Sequence, residues 1–238
     1  MDFWNVRVED VLVGQESSSY RVNGEIPVIP LESFSDEVAS AMEDVSQKME
    51  EQDLYLNSSP GYWLRTFDRW ADCEEFIGFP LNNPLEKSSL LETANYFAIA
   101  QDAETLNEES QRHCAVALQG NIKGELQHVT IDTGYLMGPI RIQMTVSLYP
   151  EGSGMEPGTG GSWNGEAEFE ITSGVTGEGI PYTLVVSETP ESDYYNDFSS
   201  ADAYFVLKNG LYTLDAVSPG RDSGADAKAA LEELLALF

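Results

Sequence analysis

The sequence predicts an α+β fold in which helices pack on one face of an antiparallel β-sheet. The clearest strand covers residues 140–148, where apolar and polar side chains alternate as in a sheet with one covered face. Asn209-Gly210 lies between two further strand-like segments and predicts a tight hairpin. Apolar residues recur at three- and four-residue steps in 67–77 and 227–238, which predicts two amphipathic helices that cover the sheet.

We expect two parts in the 238 residues: an N-terminal part (1–60) with a strand or hairpin plus an acidic helix, and an α+β domain (61–238) with the antiparallel sheet and the C-terminal helix. The turn-rich residues 57–61 mark the boundary. The N-terminal elements are a bulged strand in 3–13, a strand or a hairpin turning at Asn23-Gly24 within 20–29, and a helix in 33–52 capped by Ser33.

The stretch 67–86 contains the densest aromatic cluster and predicts a central helix. Thr66 or Asp68 caps its start, and Gly78 followed by Pro80 ends it. Its apolar face consists of Phe67, Trp70, Cys73, Phe76 and Ile77. We interpret this face as core. The alternative is an aromatic ligand groove, whose polar anchors would have to come from residues at the ends of the stripe or off it: Arg65, Arg69, Asn82 and Asn83.

The remaining residues predict strands separated by polar turns. The expected elements are an extended exit at Pro84, a short helix in 88–93, strands in 95–101, 113–119, 126–135, 140–148, 163–172, 180–187, 202–208 and 211–217, a flexible connector in 150–165, polar loops in 102–110 and 190–200, and a last helix capped by Asp222 or Ser223.

The chain is strongly acidic, with 12 Lys and Arg against 41 Asp and Glu and a net charge of −29. This balance argues against nucleic acid as a partner, because binding to phosphates depends on Lys and Arg. It argues equally against anionic membrane surfaces. It favours solubility and loose calcium binding, and a salt-adapted source would give the same charge.

The termini and cysteines bear on the compartment. Met1-Asp2-Phe3-Trp4 does not resemble a signal peptide, and no apolar run reaches the roughly 20 residues of a membrane span. We therefore expect either a cytosolic protein or an extracytoplasmic domain whose anchor lies outside this sequence. Cys73 and Cys114 are the only cysteines; a disulfide is open, and two reduced, buried thiols are favoured.

A search for catalytic patterns is largely negative, and we assign no catalytic, cofactor-binding or metal residue. His113 and His128 both fall in strand contexts, which favours structural roles over a metal or base role. Three further acids, Asp193, Asp197 and Asp202, offer carboxylates for a Ca²⁺ site as an alternative to plain solvation.

Glu166, Glu168 and Glu170 alternate along one strand and so share one face. Paired carboxylates at about 5–10 Å can hydrolyse glycosides, but this chemistry needs one carboxyl buried to raise its pKa. In so acidic a chain we interpret the three glutamates as a solvated face.

Four runs of sequence resemble a known family: WADCEEFIGFPLNNPLE, VTIDTGYLMGPIRIQMTVSLYPE, FVLKNGLYTLDAV and the closing KAALEELLALF. They look like the extracytoplasmic C-terminal domain of Gram-positive, Firmicutes-type anti-sigma-factor-like membrane proteins of unknown function. Those domains combine a helix-and-turn, a sheet, and an NGLYTL hairpin before a final helix. The resemblance covers about 67–238 and implies a membrane-anchored protein with no catalytic residues.

Two functions follow as hypotheses. The first is a non-enzymatic extracytoplasmic sensing or interaction domain of a membrane-anchored regulator, with a protein or small-molecule ligand, no nucleic acid and no direct membrane binding by this segment. The alternative is a secreted or lipid-anchored binding protein for a small molecule, peptide or sugar. An upstream apolar span of about 20 residues after a cytoplasmic segment would favour the regulator. A cleavable or lipoprotein signal would favour the binding protein. Ligand identity and oligomeric state stay open.

Overall fold

A ten-stranded sheet forms the centre of the molecule. The structure is a computed structural model that describes residues 6–51, 61–96, 112–121, 123–155, 157–164, 166–188, 198–219 and 224–238. In chain order the elements are β1 (Val6–Leu12), β2 (Ser17–Gly24), β3 (Val28–Ile29), α1 (Asp36–Glu51), β4 (Gly61–Phe67), α2 (Trp70–Ile77), β5 (Glu92–Ala94), β6 (Cys114–Gly120), β7 (Leu126–Met137), β8 (Ile140–Pro150), β9 (Gly158–Asn164), β10 (Glu168–Val175), β11 (Pro181–Glu188), β12 (Phe198–Leu207), β13 (Gly210–Pro219) and α3 (Gly224–Leu235).

The strands of the large sheet follow the order β10-β11-β12-β13-β8-β7-β6-β4, with β5 beside β7 and β3 beside β8. All of these neighbours are antiparallel except the short β3, which runs parallel to β8. The predicted antiparallel sheet is confirmed.

The described helices lie on one face of this sheet, as predicted, and enclose the main apolar core. In β8, Ile142, Met144, Val146 and Leu148 have no exposed area, so the period-2 prediction for this strand is correct. The helices contribute the apolar stripes predicted for them: Val38, Ala41, Met42 and Val45 from α1; Trp70, Cys73, Phe76 and Ile77 from α2; Ala227, Leu231, Leu234, Leu235 and, just beyond α3, Phe238.

A second, three-stranded sheet, in the order β1-β2-β9, packs on part of the opposite face. Its side chains form a smaller apolar cluster with the strands of the large sheet: Val6, Tyr20 and Val22 meet Tyr149, Val185, Tyr204, Val206 and Leu211. The sequence analysis did not foresee this layer. It leaves the neighbouring part of the same face without an apolar cover among the described residues.

The start of the central helix differs from the prediction. Residues 61–67 form β4, an edge strand paired with β6, so Phe67 ends a strand instead of beginning a helix. Neither Thr66 nor Asp68 caps α2, and the residue before it, Arg69, makes no side-chain cap. The Arg69 guanidinium instead donates to Asp72 in the first turn, with Nε 3.0 Å from Oδ2. Gly78 ends the helix at φ 99°, as predicted.

The predicted flexible connector, residues 150–165, contains β9. This glycine-rich run pairs closely with β2, and a Cβ added at Gly160 would lie 2.3 Å from the Tyr20 carbonyl oxygen. The connector prediction was therefore wrong, because here glycine permits close strand approach instead of flexibility. As a result Trp163 belongs to β9, and the next strand begins at Glu168.

The β12–β13 hairpin is present, but its turn is one residue earlier than predicted. Leu207 pairs with Gly210, so the turn residues are Lys208 and Asn209, with Lys208 at φ 55°. Gly210 is buried, and a Cβ there would lie 2.8 Å from Cγ1 of Val146. Packing, and not only the turn, therefore requires glycine at this position.

Smaller differences affect the ends of several elements. The bulge predicted in the first strand occurs between Glu9 and Leu12, but Asn23-Gly24 lies at the end of β2 and is not a hairpin turn. The hydroxyl of Ser35, and not that of Ser33, accepts the Val38 N–H at the start of α1. Two predictions gave the wrong type of structure: Pro84 begins a 3₁₀ turn, and 88–93 ends in β5. The predictions for 57–60, 97–110, 190–197, Asp222 and Ser223 lie outside the described residues.

Candidate functional site

A group of polar side chains lies on the large sheet, beside the area that the small sheet covers. They stand on four adjacent central strands, and we call this set the polar patch: Asp132, Gln143, Thr145, Asp202, Thr213 and Asp215. Strand register arranges them in two rows. Asp202 pairs with Asp215 and Asp215 with Gln143 in the first row; Thr213 pairs with Thr145 and Thr145 with Asp132 in the second.

Strand alternation explains why these residues share a face. Their neighbours along the strands point the other way, into the main core: Ala203, Leu214, Met144 and Ile131 have no exposed area. Because successive side chains of a strand point to opposite faces, the polar residues between them face away from the helices. The sequence pattern thus produces one apolar and one polar face in the middle of the sheet.

Asp202 lies at the border of the small sheet and is only 9% exposed. The Tyr20 hydroxyl, which comes from β2, lies 3.1 Å from Oδ2 of Asp202 and donates to it. The same hydroxyl is 2.7 Å from the hydroxyl of Tyr204 on β12. Two tyrosines and one aspartate therefore connect the two sheets. Burial raises the pKa of Asp202 to about 7, against the effect of the Tyr20 hydrogen bond.

Asp215 lies directly across the strand pair from Asp202. Its Oδ1 is shielded from solvent and has no hydrogen-bond partner among the described residues. Burial, and then the neighbouring Asp202 carboxyl, raise the pKa of Asp215 well above its ordinary range. The two adjacent carboxyls therefore favour protonation over charge, as expected for acids that share a poorly solvated site.

Asp132 occupies the other end of the patch and, unlike Asp215, is well bonded. It accepts from the Thr145 hydroxyl at 2.5 Å and from Nε2 of Gln143 at 3.3 Å. Burial still raises its pKa, because it outweighs these two hydrogen bonds. Within the described residues, none of the ion pairs involves Asp132, Asp202 or Asp215.

The arrangement suits a ligand that donates hydrogen bonds. A carboxyl with an unfilled acceptor position, flanked by a threonine hydroxyl and a glutamine amide, can bind hydroxyl, amide or amine groups. In the described part of the chain, no three His, Cys, Asp or Glu side chains converge as metal ligands would. The acceptor and donor groups of the patch make it a candidate site for an organic ligand that donates hydrogen bonds.

A second, partly buried polar cluster contains His113 and joins the 3₁₀ turn Pro84–Lys87 to β5 and β7. Nε2 of His113 lies 2.7 Å from Oε1 of Glu86, and Nδ1 lies 2.8 Å from the Ala94 carbonyl oxygen. The Tyr135 hydroxyl also donates to Oε1 of Glu86 at 2.7 Å and accepts from Nδ2 of Asn83 at 2.8 Å. The sequence analysis named His113 but neither Glu86 nor Tyr135 as a partner.

The charges of this cluster follow from its contacts. Burial works to lower the pKa of His113, but its contacts with Cys114 and Glu86 outweigh burial and raise it to about 10. The His113 hydrogen bond, opposed by burial, lowers the pKa of Glu86. His113 is then an imidazolium that donates from both ring nitrogens, which leaves neither free to accept a proton. The cluster has the properties of a structural ion pair.

His128 belongs to a different environment. Its ring stacks on Tyr149 with centroids 4.8 Å apart, and its buried Nε2 has no hydrogen-bond partner in the described part of the chain. Burial lowers the pKa of His128, so the neutral form is favoured.

The acidic residues singled out in the sequence form no common site in the part of the chain that the structure describes. Glu166, Glu168 and Glu170 are exposed, and Glu170 pairs with Lys228 of α3 at 2.6 Å. Asp202 lies within β12 and bonds to Tyr20, so it is not the loop ligand that the Ca²⁺ hypothesis assumed. Asp193 and Asp197 lie outside the described residues.

Comparisons with known proteins give no family: no protein-family model, curated protein or solved structure matches this chain. Among the residues that the structure describes, no helix is both long and apolar enough to cross a bilayer.

Proposed function

We propose that this chain is a non-enzymatic, extracytoplasmic sensing or interaction domain of a membrane-anchored regulator, and that the polar patch is its ligand-binding surface. The observation that carries the proposal is the buried, unpartnered Oδ1 of Asp215 beside a second buried carboxyl, Asp202. A buried acceptor without a partner costs about 1–3 kcal/mol. A ligand that displaces the groups covering Oδ1 and donates a hydrogen bond to it removes this cost.

Two features of the patch favour binding over catalysis. In a carboxyl pair that catalyses bond cleavage, one carboxyl is ionised and the other is protonated. Here burial raises the pKa of both Asp202 and Asp215, so both tend towards the protonated form. The threonine hydroxyls also have no histidine among their described partners to activate them as nucleophiles.

Support for a regulator comes from the sequence resemblance. The segments that carry it fold as a helix with a glycine cap (α2 and Gly78), a hairpin (β12–β13) and a final helix (α3), in the order expected of that family. The net charge of −29 also disfavours contact with anionic lipids.

The polar patch equally supports a second candidate, a secreted or lipid-anchored binding protein for a small molecule, peptide or sugar. The gene upstream of residue 1 distinguishes the two. One apolar span of about 20 residues after a cytoplasmic segment supports the regulator. A cleavable or lipoprotein signal supports the binding protein.

Isothermal titration calorimetry tests whether the patch binds a ligand. The panel comprises neutral monosaccharides, free amino acids and short peptides, all of which present hydrogen-bond donors. We expect one class to bind, and Asp215→Ala to weaken its binding about tenfold or more, because a lost hydrogen bond of 1–3 kcal/mol changes Kd by that order. The matched control is Glu168→Ala, which removes an exposed acid on the other face of the sheet. Binding unaffected by Asp215→Ala, or no binding by any class, contradicts the proposed site.

A further inference from the structure

The two cysteines of the chain meet in the core. Cys73 lies in the middle of α2, and Cys114 is the first residue of β6, on which α2 packs. Both side chains have no exposed area and belong to the same apolar cluster. Phe67 is the cross-strand partner of Cys114, and its ring packs on Phe76, which lies on the same buried face of α2 as Cys73. Two free cysteines about 40 residues apart in sequence thus lie in the same part of the core.

The surroundings of the two sulfurs differ. Sγ of Cys114 lies 3.6 Å from Oγ1 of Thr133, which is 3.1 Å from Nε2 of His113. The contact with Cys73 and the nearby imidazolium outweigh burial and lower the pKa of the Cys114 thiol to about 6. The same contact with Cys114, together with burial, raises the pKa of Cys73. In the folded chain the thiolate form is therefore favoured at Cys114 and disfavoured at Cys73.

We propose that Cys73 and Cys114 form an intramolecular disulfide when the chain folds in the presence of a small-molecule or protein disulfide. The Cys114 thiolate attacks one sulfur of the oxidant, whose S–S bond breaks and releases one thiolate. The Cys73 thiol then loses its proton to solvent, attacks the sulfur of Cys114 and expels the second thiolate. Two protein thiols are oxidised, and one disulfide is reduced to two thiols.

The position of the pair determines when this reaction takes place. Because both sulfurs are fully buried, the oxidant reaches them only before α2 has packed on β6 or when this short, eight-residue helix opens. The bond then closes a loop of about 40 residues and ties α2 to the sheet, which restricts the unfolded chain. The inference does not depend on the proposed ligand site, which lies on the opposite face of the sheet.

The test is refolding of the reduced, denatured chain in a buffer of reduced and oxidised glutathione. The product is denatured, alkylated with N-ethylmaleimide and weighed by mass spectrometry. We expect no alkylated cysteine after oxidative refolding and two after refolding with excess reductant. We also expect the oxidised form to melt about 5–10 °C higher, because a disulfide of this loop length stabilises a chain of this size by that order.

Two variants test whether each sulfur needs the other. Cys73→Ser should retain a glutathione adduct on Cys114, and Cys114→Ser should retain one on Cys73, because neither variant has a second thiol to resolve the adduct. Two alkylatable thiols after oxidative refolding of the unaltered chain overturn the proposal. So does an oxidised form that melts no higher than the reduced form.

Discussion

The ionisation of Asp202 is coupled to that of Asp215, because the two residues are direct cross-strand neighbours. Charge on one raises the free energy needed to charge the other, and burial raises it for both. The folded chain therefore holds protons that the unfolded chain releases. A carboxyl whose folded pKa is raised stabilises the fold fully below its unfolded pKa, and this stabilisation is lost as the pH rises through the folded pKa.

We expect Asp202→Asn to flatten the dependence of stability on pH. In the unaltered chain the contribution of Asp202 falls between about pH 4 and its folded pKa of about 7. Each proton bound only by the folded state contributes a slope of about 1.4 kcal/mol per pH unit. The amide keeps an acceptor for the Tyr20 hydroxyl but cannot ionise. Urea denaturation across this range measures the slope, with Glu168→Gln as the exposed control. Equal slopes in the Asp202→Asn and unaltered chains contradict the interpretation.

His113 and His128 should titrate at opposite ends of the pH scale. His113, bonded to Glu86, should stay an imidazolium until the pH approaches about 10, and its contribution to stability is present below about 6.5 and lost only as the pH rises through that higher value. His128, stacked on Tyr149, should stay neutral below its ordinary pKa.

NMR titration of the two imidazoles measures both directions in one sample. Glu86→Gln removes the negative charge that stabilises the imidazolium, so it should lower the pKa of His113 and leave that of His128 unchanged. A His113 that titrates near its ordinary pKa in the unaltered chain would contradict the ion pair.

At the scale of elements, α2 connects the edge of the sheet to its core. Trp70 begins the helix, is 5% exposed and donates from Nε1 to Oε1 of Glu74 at 3.1 Å. The same carboxylate oxygen accepts the Leu81 N–H at 2.7 Å, which holds the chain just after the helix. The predicted core position of Trp70 is confirmed.

We expect Trp70→Ala to lower the free energy of unfolding by about 3–5 kcal/mol, because it leaves a large cavity between α2 and the sheet. Arg69→Ala, which changes the exposed neighbouring side chain, should have little effect. Chemical denaturation of the two variants provides the comparison. A Tm for Trp70→Ala within a few degrees of that of the unaltered chain would contradict a stabilising role of Trp70 in the core and favour the ligand-groove alternative.

Periodicity predicted the elements whose two faces differ clearly in polarity. β8 alternates cleanly, and the stripes of α1, α2 and α3 have helical spacing. β4 was missed because it is a short edge strand whose Leu64 is 45% exposed, so its pattern does not separate inside from outside. β9 was missed because its glycines serve close pairing with β2, a contact that local sequence does not record.

The polar patch could be predicted from the sequence only if the pairing register of its strands was known. A turn centred on Asn209-Gly210 would place Asp202 opposite Val217, whereas the observed turn at Lys208-Asn209 places it opposite Asp215. A one-residue change in the position of the turn therefore shifts the pairing by two residues and determines whether the two carboxyls meet. The pairing of β13 with β8, which adds Gln143 and Thr145, joins distant segments and could not be read locally.

At the scale of the whole molecule, the large sheet is covered differently on its two faces. Helices bury one face, while the small sheet covers only part of the other and leaves the polar patch beside it. The N-terminal segment contributes to both covers, since α1 joins the main core and β1 and β2 form two of the three strands of the small sheet. The patch thus exists because a layer from the start of the chain ends next to strands from its middle and end.

The net charge of −29 predicts that salt stabilises this fold through screening. Acidic side chains are closer together in the folded chain than in the unfolded one, so repulsion between them lowers stability most at low ionic strength. The Debye length falls from about 30 Å at 0.01 M to about 10 Å at 0.1 M, which removes much of this repulsion. We expect Tm to rise over this range of NaCl.

At matched ionic strength, CaCl₂ and MgCl₂ should raise Tm by similar amounts, because Asp202 is bonded to Tyr20 and no three ligands converge in the described residues. A much larger rise with CaCl₂ alone would favour the calcium site considered for Asp193, Asp197 and Asp202, and single Asp→Asn variants at these positions would then identify its ligands.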